Sequence, residues 1–470
     1  MTVYILGGGP AGLALAQGLS DHGQDFVLIE RDSVLGGLAK TVSWDAIGDH
    51  DLGPHKIFST NEDLNERVNN LIAADQWVVR DKKATIFMSG QYLPYPPSPF
   101  ALLHIYGPVT FLKMCMGFGL AKLFGWIRAP FAKSFEQDLS ARVGFALYDK
   151  LFRPIAEKLW GDPRNLDIKL SQGRVQIPSV FEIIRGILGV KSNSTFEALE
   201  FSYPKGGLKT LWNAISENIS SHGKIFTQHE VQELTCDTQG NVISIEVLDL
   251  TSKEAKTLIL SDDDYVISSL PLALNAKLLG DYLSDKAHDV AKNVVRLNDL
   301  VLVFLHIQSD ELTDNSWIFI PDPDIIFHRV SEQNSFDVSM VPSGSIVCCE
   351  VMSSPQRPLS DLPDDKLVTS CLDDLEALGL GRPKLKASKV TRLSKSYPVY
   401  QVGFESQLKE LIGEFDTLPN FKTIGRQGAF NYIGTLDAMD IGFGAADWIA
   451  DRQKDWKLER ERTEHFPVLD

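Results

Sequence analysis

Cysteine is scarce: the 470-residue chain holds five (Cys115, Cys236, Cys348, Cys349 and Cys371), an odd number with no C-x-x-C spacing. Neither a disulfide framework nor a structural zinc site is expected of such a set, and a reducing cytoplasm suits it. Positive charge is also short. Lysine and arginine number 46 against 62 aspartates and glutamates, a net charge of −16, which speaks against a nucleic-acid partner, because phosphate backbones are met by a concentrated basic face. Any anionic small molecule must therefore be met by local arginines. No Ser-His-Asp set and no metal-ligand set stands out, so no metal site is expected. The chain also lacks internal repeats, low-complexity tracts and a charge-free run of ~20 apolar residues of the kind that spans a bilayer. Its first apolar run begins at residue 2, so no signal or transit peptide is expected.

What the chain does carry begins at that run. Residues 2–6 read as a short strand, Gly7-Gly8-Gly9-Pro10-Ala11-Gly12 follows at once, and residues 13–19 form a small-residue helical stretch. Gly7, Gly9 and Gly12 fit G-x-G-x-x-G: the first glycine makes the turn, the second lets a pyrophosphate approach the backbone, and the third lets helix pack on strand. The helix N-terminus then presents free N–H groups and a partial positive charge to the phosphates. A second strand at 25–29 ends in Glu30, at the ~20-residue offset of the acid that takes a ribose hydroxyl. A carboxylate there favours a free 2′-hydroxyl over a 2′-phosphate. Arg31 follows, and a second glycine pair, Gly36-Gly37, precedes Leu38. This pair is either a loop with two turn glycines or, in a flavoprotein, backbone brought close to the ribityl chain and isoalloxazine ring. Gly53-Pro54 fixes the backbone ahead of His55 and aims its imidazole, which reads equally as a loop residue or a catalytic one.

Further along, residues 61–80 read as a helix feeding a strand, and 86–95 as a hairpin around Ser89-Gly90. Residues 100–127 are dense in Leu, Phe, Met and Gly, are interrupted at Gly107-Pro108, and contain Lys113 and Lys122. They are either the core of a helical domain or a monotopic membrane-surface patch whose lysines snorkel to headgroups. Residues 134–160 and 179–189 continue the helical insertion. A helix at 209–220 precedes strands at 225–234 and 242–248, joined by a turn at Gln239-Gly240-Asn241, and a returning strand at 264–269. From 300 onward, strands at 301–305, 317–320, 325–330 and 345–351 suit an antiparallel sheet that roofs a substrate pocket. Arg329 ends one of them and either faces substrate or pairs with Glu350. Residues 363–378 form an amphipathic helix with Pro363 in its first turn, and 389–393 another strand. Tyr397 and Tyr400 flank Pro398 and either stack on a base or sugar or serve as core aromatics. The chain closes with a strand, a glycine turn at Gly425-Arg426-Gln427-Gly428, and a helix at 436–452 whose dipole, were the chain a flavoprotein, would suit the pyrimidine edge of the ring.

The order Gly7-x-Gly9-x-x-Gly12, Glu30, Leu35-Gly36-Gly37-Leu38 and Gly53-Pro54-His55-Lys56-Ile57-Phe58 resembles the N-terminal half of UDP-galactopyranose mutases and the related protoporphyrinogen-oxidase-like and amine-oxidase-like flavoproteins. Tyr148-x-x-x-Phe152-Arg153-Pro154-x-x-Glu157-Lys158-x-Trp160-Gly161-x-Pro163, the 317–350 stretch with Arg329, and Tyr397-Pro398-Val399-Tyr400 with Gly425-Arg426 extend the likeness over most of the chain.

The resemblance implies an α/β fold with α+β parts, in which a Rossmann-type FAD-binding domain (1–90, 201–275 and 401–470) interleaves with a helical insertion (91–200) and an antiparallel-sheet substrate domain (276–400). It implies FAD held by Gly7, Gly9, Pro10, Ala11, Gly12, Glu30, Arg31, Gly36, Gly37, Leu38, Val231, Gly425, Arg426, Asp437 and Met439. Substrate is implied at His55, Arg174, Arg329, Tyr397 and Tyr400. Arg174 lies in Ser171-Gln172-Gly173-Arg174-Val175-Gln176-Ile177-Pro178, which is similar to a mutase stretch whose arginine grips a diphosphate; its planar fork bonds two oxygens at once. In a mutase, reduced FAD attacks the anomeric carbon of a nucleotide sugar through N5, the nucleoside diphosphate leaves, and the opened ring recloses as the furanose, a step that serves polysaccharide biosynthesis. In an oxidase, oxidised FAD takes hydride from an amine, porphyrinogen or polyene. Lys56, Ser59 and Tyr397-Pro398-Val399-Tyr400 are more similar to the oxidoreductase-like relatives and leave the substrate open.

Overall fold

The computed structural model describes residues 1–95, 97–175, 200–219, 222–451, 454–463 and 466. The helix expected at 179–189 and the residues 176–178 of the arginine stretch lie outside them.

Five parallel strands make the sheet that carries the glycine turn, in the order Phe421–Thr423, Tyr265–Ser268, Val3–Leu6, Phe26–Ile29, Gly223–Phe226. Val3, Ile5 and Leu6 are fully buried, as expected of the central strand of a sheet covered on both faces. Strands from the start, the middle and the end of the chain therefore share one sheet, with Tyr265–Ser268 between Val3–Leu6 and Phe421–Thr423, which is the interleaving the sequence implies. The first helix spans Pro10–Asp21 and starts three residues earlier than the apolar pattern indicates, because Pro10, with its preset φ, takes the first turn. The last long helix, Thr435–Ala450, packs directly on it. A Cβ at Gly442 would fall 2.2 Å from the Ala11 carbonyl oxygen, so glycine is what lets the two helix backbones touch.

A second, seven-stranded sheet runs in the order Leu385–Val399, Arg296–Ile307, Ser345–Ser353, Arg329–Glu332, Trp317–Phe319, Ala84–Met88, Gln91–Pro94. It is antiparallel except where Trp317–Phe319 pairs with Ala84–Met88. Alternation explains its apolar strands: Val301, Val303, Val347, Cys349 and Val351 pack on Leu367, Cys371 and Leu375 of the helix Asp364–Ala377. Leu300, Leu302, Ile346, Cys348 and Met352 turn the other way, into the core shared with the parallel sheet. With both faces covered, the strands lose the in–out polarity that marks a half-exposed sheet.

Several expectations shift. The hairpin closes through Ser89 and Gly90, both at positive φ, as a type I′ turn requires, and its strands belong to the seven-stranded sheet. The single strand expected at 225–234 is two, Gly223–Phe226 and His229–Cys236, in different sheets, with Gln228 at φ +56 making the bend. The strand expected at 325–330 is Arg329–Glu332. The Ile326 N–H donates instead to the Asp374 carboxylate at 2.6 Å, which takes that residue off the ladder. Pro363 is the N-cap of its helix, one position outside the first turn. Residues 389–393 are the middle of the long strand Leu385–Val399, which also contains Tyr397.

The helical-core reading of residues 100–127 does not hold. They form one helix, Pro99–Arg128, broken by Gly107 at φ +72 and Pro108, and most of its large apolar side chains face outward. Its inner edge rests on Phe135–Val143 and the turn after it: a Cβ at Gly125 would fall 2.2 Å from the Ala141 carbonyl oxygen, and the Cα of Gly117 lies against Gly144.

Candidate active site

A continuous cleft of about 1900 Å³ opens at the carboxyl ends of the parallel strands and extends under the seven-stranded sheet. That volume exceeds the ~300–1,000 Å³ of ordinary small-molecule pockets and leaves room for a dinucleotide together with a substrate.

The dinucleotide end is built from the glycine turn. Gly7 sits at φ +100, a conformation that only glycine adopts without strain. Gly12 has no room for a side chain, since its Cβ would lie 2.0 Å from the Gly7 carbonyl oxygen. Gly9 differs: a Cβ there would meet only the Gly37 Cα, at 3.9 Å. Open cleft faces Gly9, so a glycine there leaves room for a ligand to approach the backbone. No side chain caps the first helix and no acid sits in its first turn, so its amide groups at Ala11 and Gly12 are oriented to receive an anion. The Glu30 carboxylate is held by the Gly8 N–H at 2.6 Å and the Asp32 N–H at 2.8 Å, and its remaining lone pairs are positioned to accept from hydroxyls. Arg31, His229, Glu230 and Val231 line the same end. Gly37 and Leu38 line the cleft, whereas Gly36, at φ +109, donates its N–H to the Gly8 carbonyl at 2.8 Å and packs on Trp212. Gly36 shapes the loop and does not face the ligand.

From the far end of the chain, Arg426 and the residues Gly434 to Ala438 line the cleft. Gly425, at φ +83, stands behind them, where a Cβ would press on the Ala11 Cβ at 2.9 Å. Asp437 accepts the Gly434 N–H at 3.1 Å, and burial pushes its carboxyl up to about 6. Met439 is a correction: it is fully buried in the core and does not line the cleft. These features fit FAD. An uncapped helix start suits its pyrophosphate, the Glu30 carboxylate suits its adenosine ribose, and the cleft between Gly37-Leu38 and the Thr435–Ala450 N-terminus has room for its ring.

At the substrate end, Arg174, Arg426, Tyr397 and Tyr432 come together. The Arg174 guanidinium lies 3.9 Å from the Tyr432 ring centroid, and that of Arg426 lies 4.7 Å from Tyr432 and 5.7 Å from Tyr397. Tyr397 and Tyr432 meet edge to face at 5.6 Å. Two cations over one phenol concentrate positive charge in a corner with aromatic walls, a charge that an anion would compensate. Tyr432 was not singled out by the sequence; its one signal is an aromatic close behind the Gly425 turn. Burial pushes the Tyr397 phenol up, well beyond any working range, so it is a neutral donor.

His55 also lines the cleft, with Nε2 3.3 Å from the Leu52 carbonyl oxygen. Burial, assisted by the nearby Arg329 cation, lowers it to about 4. His55 is therefore a neutral imidazole near pH 7. Arg329 forms a forked pair with Glu350, 2.5 Å from Nε to Oε1 and 2.9 Å from Nη2 to Oε2, while its side chain still borders the cleft. The ion-pair reading of Arg329 is the one the geometry bears. Tyr400 does not reach the cleft. Its hydroxyl donates to the Phe430 carbonyl at 2.8 Å and accepts the Tyr432 N–H at 2.9 Å, and its ring stacks on Phe404 at 4.4 Å. It holds the Phe430–Tyr432 backbone in place, so it supports Tyr432 without touching a ligand.

The loop that carries His55 starts from Asp51, whose carboxylate accepts Thr41 Oγ1–H at 2.5 Å and the Tyr203 hydroxyl at 2.6 Å in full burial. Despite those bonds, burial raises Asp51 to about 6 from 3.8. A carboxyl whose folded pKa is raised adds stability that is complete below the unfolded value and is lost as pH climbs through the folded one. The stability of the wild type relative to Asp51→Asn should therefore fall by up to about 3 kcal/mol between about pH 4 and about pH 7. Urea denaturation at the two pH values measures it; a constant difference would count against this.

Residues 5–73 match the model of the NAD(P)-binding Rossmann-like domain family. No curated protein matches the chain. Among solved structures, a reduced UDP-galactopyranose mutase superposes with a TM-score of 0.82 at 19% identity, covering 99% of this chain and 98% of that one. A putative protoporphyrinogen oxidase from Exiguobacterium sp. 255-15 gives 0.72 at 16%, covering 96% and 99%. Cyclohexylamine oxidase from Brevibacterium oxydans IH-35A gives 0.65 at 14%, covering 97% and 99%. The chain thus has a Rossmann-like dinucleotide-binding domain set in the fold these mutase and oxidase structures share.

Proposed function

We propose that this chain is an FAD-dependent enzyme that interconverts the pyranose and furanose forms of a nucleotide sugar. The observation that carries the proposal is the corner where Arg174 and Arg426 flank Tyr432. In a chain of net charge −16, the described residues lining the cleft include eleven lysines and arginines and seven carboxylates. That local excess suits a substrate with more negative charge than the cofactor brings. Bound FAD supplies, in its reduced form, an electron-rich centre able to attack an anomeric carbon.

The remaining work falls to side chains. Arg174 and Arg426 bind the diphosphate oxygens and compensate the charge that grows on them as the sugar departs. Tyr432, buried beneath both guanidinium groups, holds them in place, while Tyr397 offers a ring to a base or sugar and its neutral hydroxyl can donate to a phosphate oxygen. A neutral His55 on a loop anchored over the Arg329–Glu350 pair orients without demanding a proton. An isomerisation without net oxidation needs little acid–base machinery, in keeping with these shifts. A second reading, an oxidase acting on a carboxylate-bearing substrate, draws support from the same cationic corner and from the two oxidases with this fold.

The test is to reduce the purified yellow protein with dithionite and offer a panel of nucleotide sugars. A furanose product that forms only with reduced protein is expected. Failure with every sugar, together with oxygen or quinone turnover on an amine or porphyrinogen, overturns the mutase. For the corner itself, Arg174→Ala should raise KM about 10- to 100-fold, the loss of one charge-assisted bond of ~1.5–3 kcal/mol, with flavin content unchanged. An emptied flavin site would make Arg174 a structural residue.

A further inference from the structure

The helix Pro99–Arg128 presents an apolar ridge that nothing in the described protein covers. After the Gly107-Pro108 break, Val109, Leu112, Met116, Leu120, Leu123 and Ile127 recur at three- and four-residue spacing, the repeat of a single helix face. Leu112 is 60% exposed, Met116 60% and Leu123 66%. Phe124, Trp126, Phe131 and Phe145 widen the ridge, with the Trp126 ring 72% exposed. Soluble surfaces scatter such residues singly; a continuous patch marks a docking face.

We propose that this face docks the protein onto the surface of an anionic lipid bilayer. Charge identifies the occupant. Between Asp81 and Glu136 the sequence has no aspartate or glutamate, while Lys82, Lys83, Lys113, Lys122, Arg128 and Lys133 all fall inside that interval. A chain of net charge −16 has thus cleared every carboxylate from the segment that bears its apolar ridge. Lys113 is exposed beside the ridge, and Lys122 extends over the Phe118 ring at 5.1 Å. That is the arrangement of an interfacial helix: aliphatic and aromatic side chains enter the acyl boundary, and lysines reach out along their stems to phosphate headgroups.

Two other arrangements fit less well. Among the described residues this helix is the one long and apolar enough to cross a membrane. A spanning helix is surrounded by lipid or other apolar spans, whereas this one is broken at Gly107-Pro108 and packs through Gly125 on the helix Phe135–Val143, which carries Glu136, Asp138 and Arg142, leaving one face for lipid. A second copy docked ridge to ridge would set the lysines of this helix against their counterparts, with no carboxylate between 82 and 135 to pair them, a like-charge contact that disfavours that association.

Flotation of the full-length, flavin-loaded protein on vesicles tests this independently of the reaction. The protein should float with phosphatidylcholine/phosphatidylglycerol vesicles and much less with phosphatidylcholine alone. Leu120→Glu combined with Leu123→Glu should lower binding at least about tenfold, as should Lys113→Glu combined with Lys122→Glu, which should also remove the preference for phosphatidylglycerol. Both variants change exposed side chains outside the cleft, so flavin absorbance should be unaffected. Flotation on neither vesicle overturns the proposal, and equal flotation on both overturns the assignment of an anionic surface. A lipid-free dimer that the leucine variant splits, seen by sedimentation equilibrium, overturns it in favour of a second copy.

Discussion

Gly12→Ala should yield protein that has lost its flavin and much of its stability, whereas Gly9→Ala should yield folded protein that has lost the flavin alone. The two glycines belong to one motif, but different atoms stand against them. At Gly12 the added methyl would sit 2.0 Å from the Gly7 carbonyl oxygen and 3.4 Å from Ile5 Cγ2. Backbone cannot rotate aside as a flexible side chain can, so the first helix must move off the first strand. That displaces the close packing with the Thr435–Ala450 helix too, because both helices meet at Ala11. Overpacking of this kind costs about 1–3 kcal/mol or more. At Gly9 the methyl would find open cleft, with the Gly37 Cα 3.9 Å away; it intrudes only where a pyrophosphate would lie. Its melting temperature without cofactor should match that of wild-type apoprotein, while affinity for FAD falls about 100-fold, or about 3 kcal/mol. Flavin absorbance per polypeptide and thermal unfolding of the apoproteins separate the two. Equal stability of both variants would show that the third glycine is not needed for helix–strand packing here.

The contrast also indicates what a sequence can tell. The glycine turn is legible because its strand, turn, helix and acid lie within thirty residues, and local sterics dictate each part. Tyr400 is not, because its fate depends on Phe430 and Tyr432, whose backbone takes both bonds of its hydroxyl. Met439 follows a motif position but points into the core between two helices, a matter of helix rotation that no spacing records. The lost strand at 325–328 has the same origin: an aspartate on a distant helix claims its backbone donor. For residues 100–127, composition announces an apolar helix and leaves open what covers it; only the placement of Gly117 and Gly125 against the neighbouring helices shows which face remains outward. The substrate corner was half legible, since both arginines and Tyr397 were in view while Tyr432, the ring they share, was not.

Removal of Glu350 should be among the most damaging single changes in the chain. Its carboxylate is 1% exposed, lies directly opposite Arg329 on the neighbouring strand, and takes both arms of the guanidinium. Gly53, in the loop that carries His55, sits above it, where even a Cβ would come within 3.7 Å of Oε2. In Glu350→Ala the Arg329 cation loses this forked pair while only part of its side chain is in reach of water, so a loss of about 3–5 kcal/mol is expected. Replacing both members, Arg329→Met with Glu350→Leu, should recover most of that loss, because an apolar pair of similar volume carries no desolvation cost. The double variant then decides what Arg329 is for. If the pair is structural, a refolded double variant keeps its flavin and its KM, and His55, freed from a neighbouring cation though still buried, titrates somewhat higher by proton NMR. If Arg329 also grips the substrate, the same folded, flavin-loaded protein shows a raised KM. Denaturation curves establish the first half of this prediction, and a KM that rises in protein of restored stability would return Arg329 to the list of substrate ligands.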